Sequence, residues 1–219
     1  RLGNAIDPFE TVAKYGADAV RWYMVTNAQP WDNLKFDMDG VVESQRKFLG
    51  TLYNTYSFFA IYANIDQYEF NPNLQVNSSH FSEMDRWILS KLNSLIQEVE
   101  AAFNDYDPTR AGRAIEDFVG EQLSNWYVRL SRRRFWKGEL NDDKKAAYET
   151  LYRCLNTVTQ LTAPIAPFFS DWLYRSLNVT RISRNETPAS VHLTEWPKTD
   201  AAAINPKLET SMALAQQVC

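Results

Sequence analysis

The stretch DPTRAGRAIEDFVGEQLSNWYVRLSRRRFWKG, Asp107 to Gly138, reads as one uninterrupted helix. Asp107 suits its cap, Pro108 its first turn and Gly138 its end. Ala111, Ala114, Ile115, Phe118 and Val119 recur at helical spacing, and Leu123, Trp126, Tyr127 and Leu130 carry the apolar face onward. On another face Asn125, Arg129, Arg132, Arg133 and Trp136 follow an i, i+4, i+7, i+8, i+11 pattern. A helix of about 3.6 residues per turn stacks these into one stripe. A helix buried on one side and cationic on another, with rings among its guanidiniums, suits a polyanion with stackable bases. Arginine grips phosphate bidentately, and an unpaired base lies on an indole or guanidinium plane. The ordinary alternative is a solvated basic face that complements the helix dipole. Arg134 falls off the stripe and is expected to hold an acidic neighbour.

Working outward, the same signals recur. Asp7-Pro8-Phe9-Glu10 opens a helix, Gly16 interrupts it, and Ala17 to Thr26 continues; Leu34-Lys35-Phe36 then suggests a short strand. From Gly40 to Asn64 a long aromatic helix carries Phe48, Leu52, Tyr56 and Phe59, with Arg46 and Lys47 beside that face. A polar loop follows from Tyr68 to Ser79. Ser82 to Asp85 is a capping box ahead of Trp87, Leu92, Leu95, Ile96 and Val99. Asn141 to Thr162 places Tyr148, Leu151, Tyr152, Leu155, Val158 and Leu161 on a core face. Pro164 and Pro167 break it before a shorter helix, Phe168 to Leu177. Val191-His192-Leu193 alternates like a strand, and Asn205-Pro206 starts a last helix.

These readings predict a mainly α protein, an antiparallel helical bundle joined by short breaks. A small module at 1–39 precedes the bundle of 40–180, and a strand-containing connector with the start of a helix occupies 181–219. Trp87, Phe118, Trp126, Tyr148 and Tyr152 are expected in the core.

Composition narrows the function. The 219 residues carry a net charge of −4, so the chain as a whole is no generic nucleic-acid binder. An anion site must come from local clustering, and Arg129 to Lys137 is the densest cluster. The two cysteines, Cys154 and Cys219, stand apart from each other and from histidine, which argues against a disulfide framework or a zinc site. Cys154 is expected to be a buried thiol. His80 and His192 are isolated in loop-like sequence, and no nucleophile elbow, P-loop, GxGxxG or HExxH occurs. No apolar run approaches a membrane span. With no initiator Met, the chain is expected to be an internal piece of a longer protein.

The ordered strings make the chain similar to one family. RLGN (1–4) resembles the tail of a KMSK-x-LGN loop, and DPFETVAKYGADAVRWYMVT (7–26) the segment that follows it. RKFLGTLYNTYSFFAIYANID (46–66), DRWILSKLNSL (85–95), LTAPIAPFFSDWLY (161–174) and SVHLTEWP (190–197) are similar to later parts of the same enzymes. The string SRRRFW within Tyr106–Trp136 points to the isoleucyl-tRNA synthetase family of class I.

The resemblance implies that 1–39 is a stem-contact module following the KMSKS loop and that the bundle is an anticodon-binding domain. The parent would use ATP and magnesium to attach isoleucine to tRNA(Ile). The piece itself, without the HIGH motif, complete KMSKS loop or editing domain, would bind RNA, do no chemistry and need no cofactor or metal. Its implied partners are tRNA(Ile) and the catalytic and editing domains of the same chain, in a cytoplasmic monomer. The RNA face would comprise Asn125, Arg129, Arg132, Arg133 and Trp136, with Arg46 and Lys47 touching the inner side of the tRNA. Arg1 to Ala5 would be loosely held without the catalytic domain. A valyl- or leucyl-type bundle, or a helical protein-interaction module using Arg and Trp as anchors, is the alternative.

Overall fold

The structure is a computed structural model that describes residues 6–72 and 78–218. The RLGN string, the expectation for Arg1 to Ala5, the middle of the 68–79 loop and Cys219 lie outside the described residues. Helix α1 (Pro8–Tyr15) begins where the Asp7 carboxylate accepts the Phe9 and Glu10 N–H groups. Gly16, at φ +84°, separates it from α2 (Ala17–Asn27). Helix α3 (Met38–Ser44) passes through a π-helical turn, Gln45–Leu49, into α4 (Gly50–Ile65). The capping box at α5 (Glu83–Asn104) forms in full, Ser82 and Asp85 each bonding the other's backbone. Asp107 caps α6 (Pro108–Asp117), which continues as a π-helical segment, Phe118–Val128, into α7 (Arg129–Trp136). Asn141 caps α8 (Asp142–Thr162), followed by α9 (Pro167–Leu177), α10 (Val179–Ser183) and α11 (Pro206–Val218).

The mainly α expectation holds; the short β piece does not. Among the described residues there is no strand. Val191–Leu193 is a 3-10 turn, capped by Ser190 and anchored where the Val191 N–H meets the Asp171 carboxylate at 3.1 Å. Leu34 and Phe36 turn half inward while Lys35 stays exposed, but this segment is extended coil. Alternation decides which side chains face the core. A strand also needs a hydrogen-bonded neighbour, and neither segment has one.

One apolar core extends from Ala19 and Trp22 of α2 to Leu173 of α9. The Trp22 and Phe48 rings stack at 3.9 Å, and Phe135 meets Phe58 and Tyr148 edge-on at 5.1 Å each. Trp87, Phe118, Tyr148 and Tyr152 are buried as expected, and so is the Cys154 thiol, whose burial pushes its pKa up. Trp126 packs against the core half-buried rather than inside it.

Gly112 sets how closely α6 meets α2. A Cβ there would lie 2.6 Å from Thr26 Cγ2, and the Thr26 hydroxyl is held by the Trp22 carbonyl at 2.9 Å. Alanine gains about 1 kcal/mol of helix propensity over glycine. Overpacking typically costs about 1–3 kcal/mol. Gly112→Ala is therefore expected to lower the urea midpoint; a raised midpoint would show that Thr26 yields freely.

Candidate nucleic-acid interface

The rod α6–α7 owes its orientation to its inner face. Phe118, Val119, Leu123, Tyr127 and Val128 are buried at spacings of four and five, as wide π turns require, and Ser131 and Phe135 resume the α spacing of four. This shift of phase corrects one assignment. Leu130, placed on the apolar face by α-helical spacing, is 56% exposed, because Val128 and Ser131 take the inward positions.

Tyr127 and a further inner group, Arg134, bind a single carboxylate. Asp85 is fully buried; it accepts the Tyr127 hydroxyl at 2.7 Å and both terminal Arg134 nitrogens at 2.7 and 2.8 Å. Arg134 also pairs with Asp143 at 2.8 Å, so it holds acidic neighbours as its off-stripe position suggested. Burial works against the Arg134 charge, but the hydrogen bonds to Asp85 and Asp143 outweigh it and raise the pKa. Burial, reinforced by Asp85, pushes the Tyr127 phenol well up, so it stays a donor. Next to this network, Lys144 pairs with Asp66 at 2.6 Å and donates to the Gly138 carbonyl at 3.3 Å. That bond ties down the turn at which α7 stops.

With the inner face so held, the outer face is free. Asn125, Arg129, Arg132, Arg133 and Trp136 are all exposed. Trp136 is 63% exposed, which removes it from the core. The side chains of Arg129, Arg132, Arg133 and Lys137 make no hydrogen bond or ion pair among the described residues, although most of the other described lysines and arginines are partnered. Lys137 lies off the periodic stripe, and helical spacing misses it; its place directly after Trp136 in the basic run is the signal that marks it.

Arg46 and Lys47 lie elsewhere on the surface, on the π turn between α3 and α4. They line a cleft of about 790 Å³ that Asn125 lines too. Asn125 thus links the two groups, while Arg129 to Lys137 lie outside this cleft. Lys47 is paired with Glu43 at 2.5 Å. Glu116, Asp117 and Glu121 also line the cleft, so its charge is mixed. Glu116 is held by the Trp22 indole N–H at 2.5 Å, and burial raises its pKa despite that bond. The α7 face, by contrast, concentrates uncompensated positive charge.

Residues 85–219 match the model of a family described as the anticodon-binding domain of tRNA ligase. That is more than half of the chain, and the chain belongs to this family. Over its whole length it is similar to proteins named isoleucine–tRNA ligase. It is 57% identical to that of Cytophaga hutchinsonii and 58% identical to that of Porphyromonas gingivalis, each over 218 residues. It spans only 19% and 18% of those relatives' lengths. Among solved structures it resembles a chain of the Agrobacterium radiobacter K84 agnB2 LeuRS–tRNA–LeuAMS ternary complex. The TM-score is 0.67 and the identity 21%, covering 93% of this chain and 22% of that one, a likeness of fold.

Proposed function

We propose that this chain is the anticodon-arm-reading part of an isoleucine–tRNA ligase, and that it binds tRNA(Ile) through the outer face of α7. The observation that carries the proposal is the uncompensated cluster Arg129, Arg132, Arg133 and Lys137 around an exposed Trp136, on a chain of net charge −4. Phosphates can use free guanidiniums without breaking an existing pair, and an exposed indole offers a stacking plane for an unpaired base. In this reading Asn125 reads a base edge, Arg129, Arg132 and Arg133 take phosphates or bases, and Trp136 stacks. Arg46 and Lys47 touch the inner side of the tRNA, Lys47 by exchanging Glu43 for phosphate.

The identity to isoleucine ligases supports tRNA(Ile) over the leucine and valine species. Residues 1–39 act as a stem-contact module, 40–180 as the anticodon-reading bundle and 181–219 as a connector. The whole protein joins isoleucine to tRNA using ATP and magnesium, as a cytoplasmic monomer. In this reading ATP, magnesium and the chemistry belong to the catalytic domain of the whole protein. No described helix is long and apolar enough to cross a membrane.

The test is a salt-series titration of this chain with tRNA(Ile), its anticodon variants and tRNA(Leu). Arg132→Ala and Arg133→Ala should each weaken binding to tRNA(Ile) and flatten the log–log salt slope by roughly 0.7. Trp136→Ala should lose about 1–3 kcal/mol of binding with the slope nearly unchanged. Because Trp136 is exposed, its melting temperature should stay near the wild-type value. Wild-type affinity in folded Arg132→Ala and Arg133→Ala proteins would sink the proposal.

A further inference from the structure

We propose that buried Asp85 is a positioning residue for RNA recognition: it fixes where the π segment gives way to α7, and so sets the direction in which the cationic face points. This rests on the anticodon-reading proposal above. The rod changes hydrogen-bond register between Val128 and Arg129. If that change slid along the chain, every residue beyond it would roll about the axis by the difference between the α and π twists, about 20° per residue of shift. Phe135, packed edge-on against Phe58 and Tyr148, opposes a large roll, and directional bonds at the junction set the angle more finely.

Asp85 resists it directly. One oxygen accepts Tyr127, on the π side of the junction, at 2.7 Å, and both oxygens accept Arg134, on the α side, at 2.7 and 2.8 Å. The carboxylate is itself anchored on α5 by the Ser82 N–H and hydroxyl, each at 2.8 Å. One fixed group therefore straddles the junction. Arg129, Arg132 and Arg133 lie between its two attachment points, facing out.

Buried ionic networks replaced by neutral side chains often leave stability almost unchanged, so a network of this kind is better suited to specifying register. The test is the variant carrying Asp85→Asn, Tyr127→Phe and Arg134→Met together, compared with Tyr127→Phe alone and with Arg132→Ala. Melting and a salt-series titration with tRNA(Ile) transcript are read for each. The triple variant should melt within a few degrees of wild type. It should nevertheless bind about tenfold more weakly, with a salt slope lower by roughly 0.7 for each phosphate that the turned face no longer reaches. Its phosphate-binding arginines are all intact, so a merely structural network would not move that slope. Tyr127→Phe, which keeps the ring and removes the hydroxyl that holds Asp85, should bind about threefold more weakly and decides the matter if the triple variant does not fold. Wild-type affinity and slope in the folded variants, with Arg132→Ala impaired, overturn this inference alone. An unimpaired Arg132→Ala overturns the anticodon-reading proposal and this inference with it.

Discussion

Asp85→Ala is expected to lower the unfolding free energy by about 3–5 kcal/mol, because it removes the acceptor that a buried phenol and a mostly buried guanidinium share. For a chain of this size that is a fall of roughly 6–20 °C in melting temperature. The substitution takes from the completely buried Tyr127 hydroxyl its 2.7 Å acceptor and from Arg134 one of its two carboxylates, and it removes the Asp85 half of the capping box of α5. Asp143 keeps its hold on Arg134, which sets the loss towards the lower end of the range. The contrast with the neutral triple replacement is the informative part. The same carboxylate should matter greatly when removed alone and little when removed with its partners. Equal melting temperatures for Asp85→Ala and wild type would show that water reaches the network and compensates it.

Trp22→Ala should be of similar size, about 3–5 kcal/mol, the usual cost of truncating a fully buried large aromatic. The ring is completely buried, stacks on Phe48, and its indole N–H satisfies Glu116. Trp22→Phe separates the contributions. It keeps a ring against Phe48 and strands the Glu116 carboxylate, an unmade hydrogen bond worth about 1–3 kcal/mol. Chemical denaturation followed by circular dichroism measures both. Helix α2 shares the core of the bundle, so the loss should appear in the main cooperative transition. A separate early transition, with the remaining helices untouched, would show that α2 unfolds on its own.

Helix ends were legible because their signals are local. Asp7, Ser82, Asp107, Asn141 and Asn205 each accept a backbone N–H within three residues of their own position, and Gly138 supplies the positive φ just beyond α7. The inward faces of α4, α5 and α8 were legible for a related reason, since regular α spacing maps sequence position onto direction. The same mapping placed Asn125, Arg129, Arg132, Arg133 and Trp136 on the surface of the rod.

Sequence periodicity failed wherever the fold depends on departures from that spacing or on distant partners. Leu130 was misassigned because two consecutive helical registers share one rod, and nothing in its immediate neighbours marks the change. Val191–Leu193 alternates as a strand does, yet strand formation is decided by a neighbour that the fold does not bring alongside. The sequence by itself determined the helices, their caps and a run of cations beside aromatics. Only the tertiary structure decided which cations are taken. Arg134 finds Asp85 from 49 positions away, while its neighbours Arg132 and Arg133 are left open to a partner outside the chain. Pairing of charges is a contact between elements, and periodicity along one element cannot specify it.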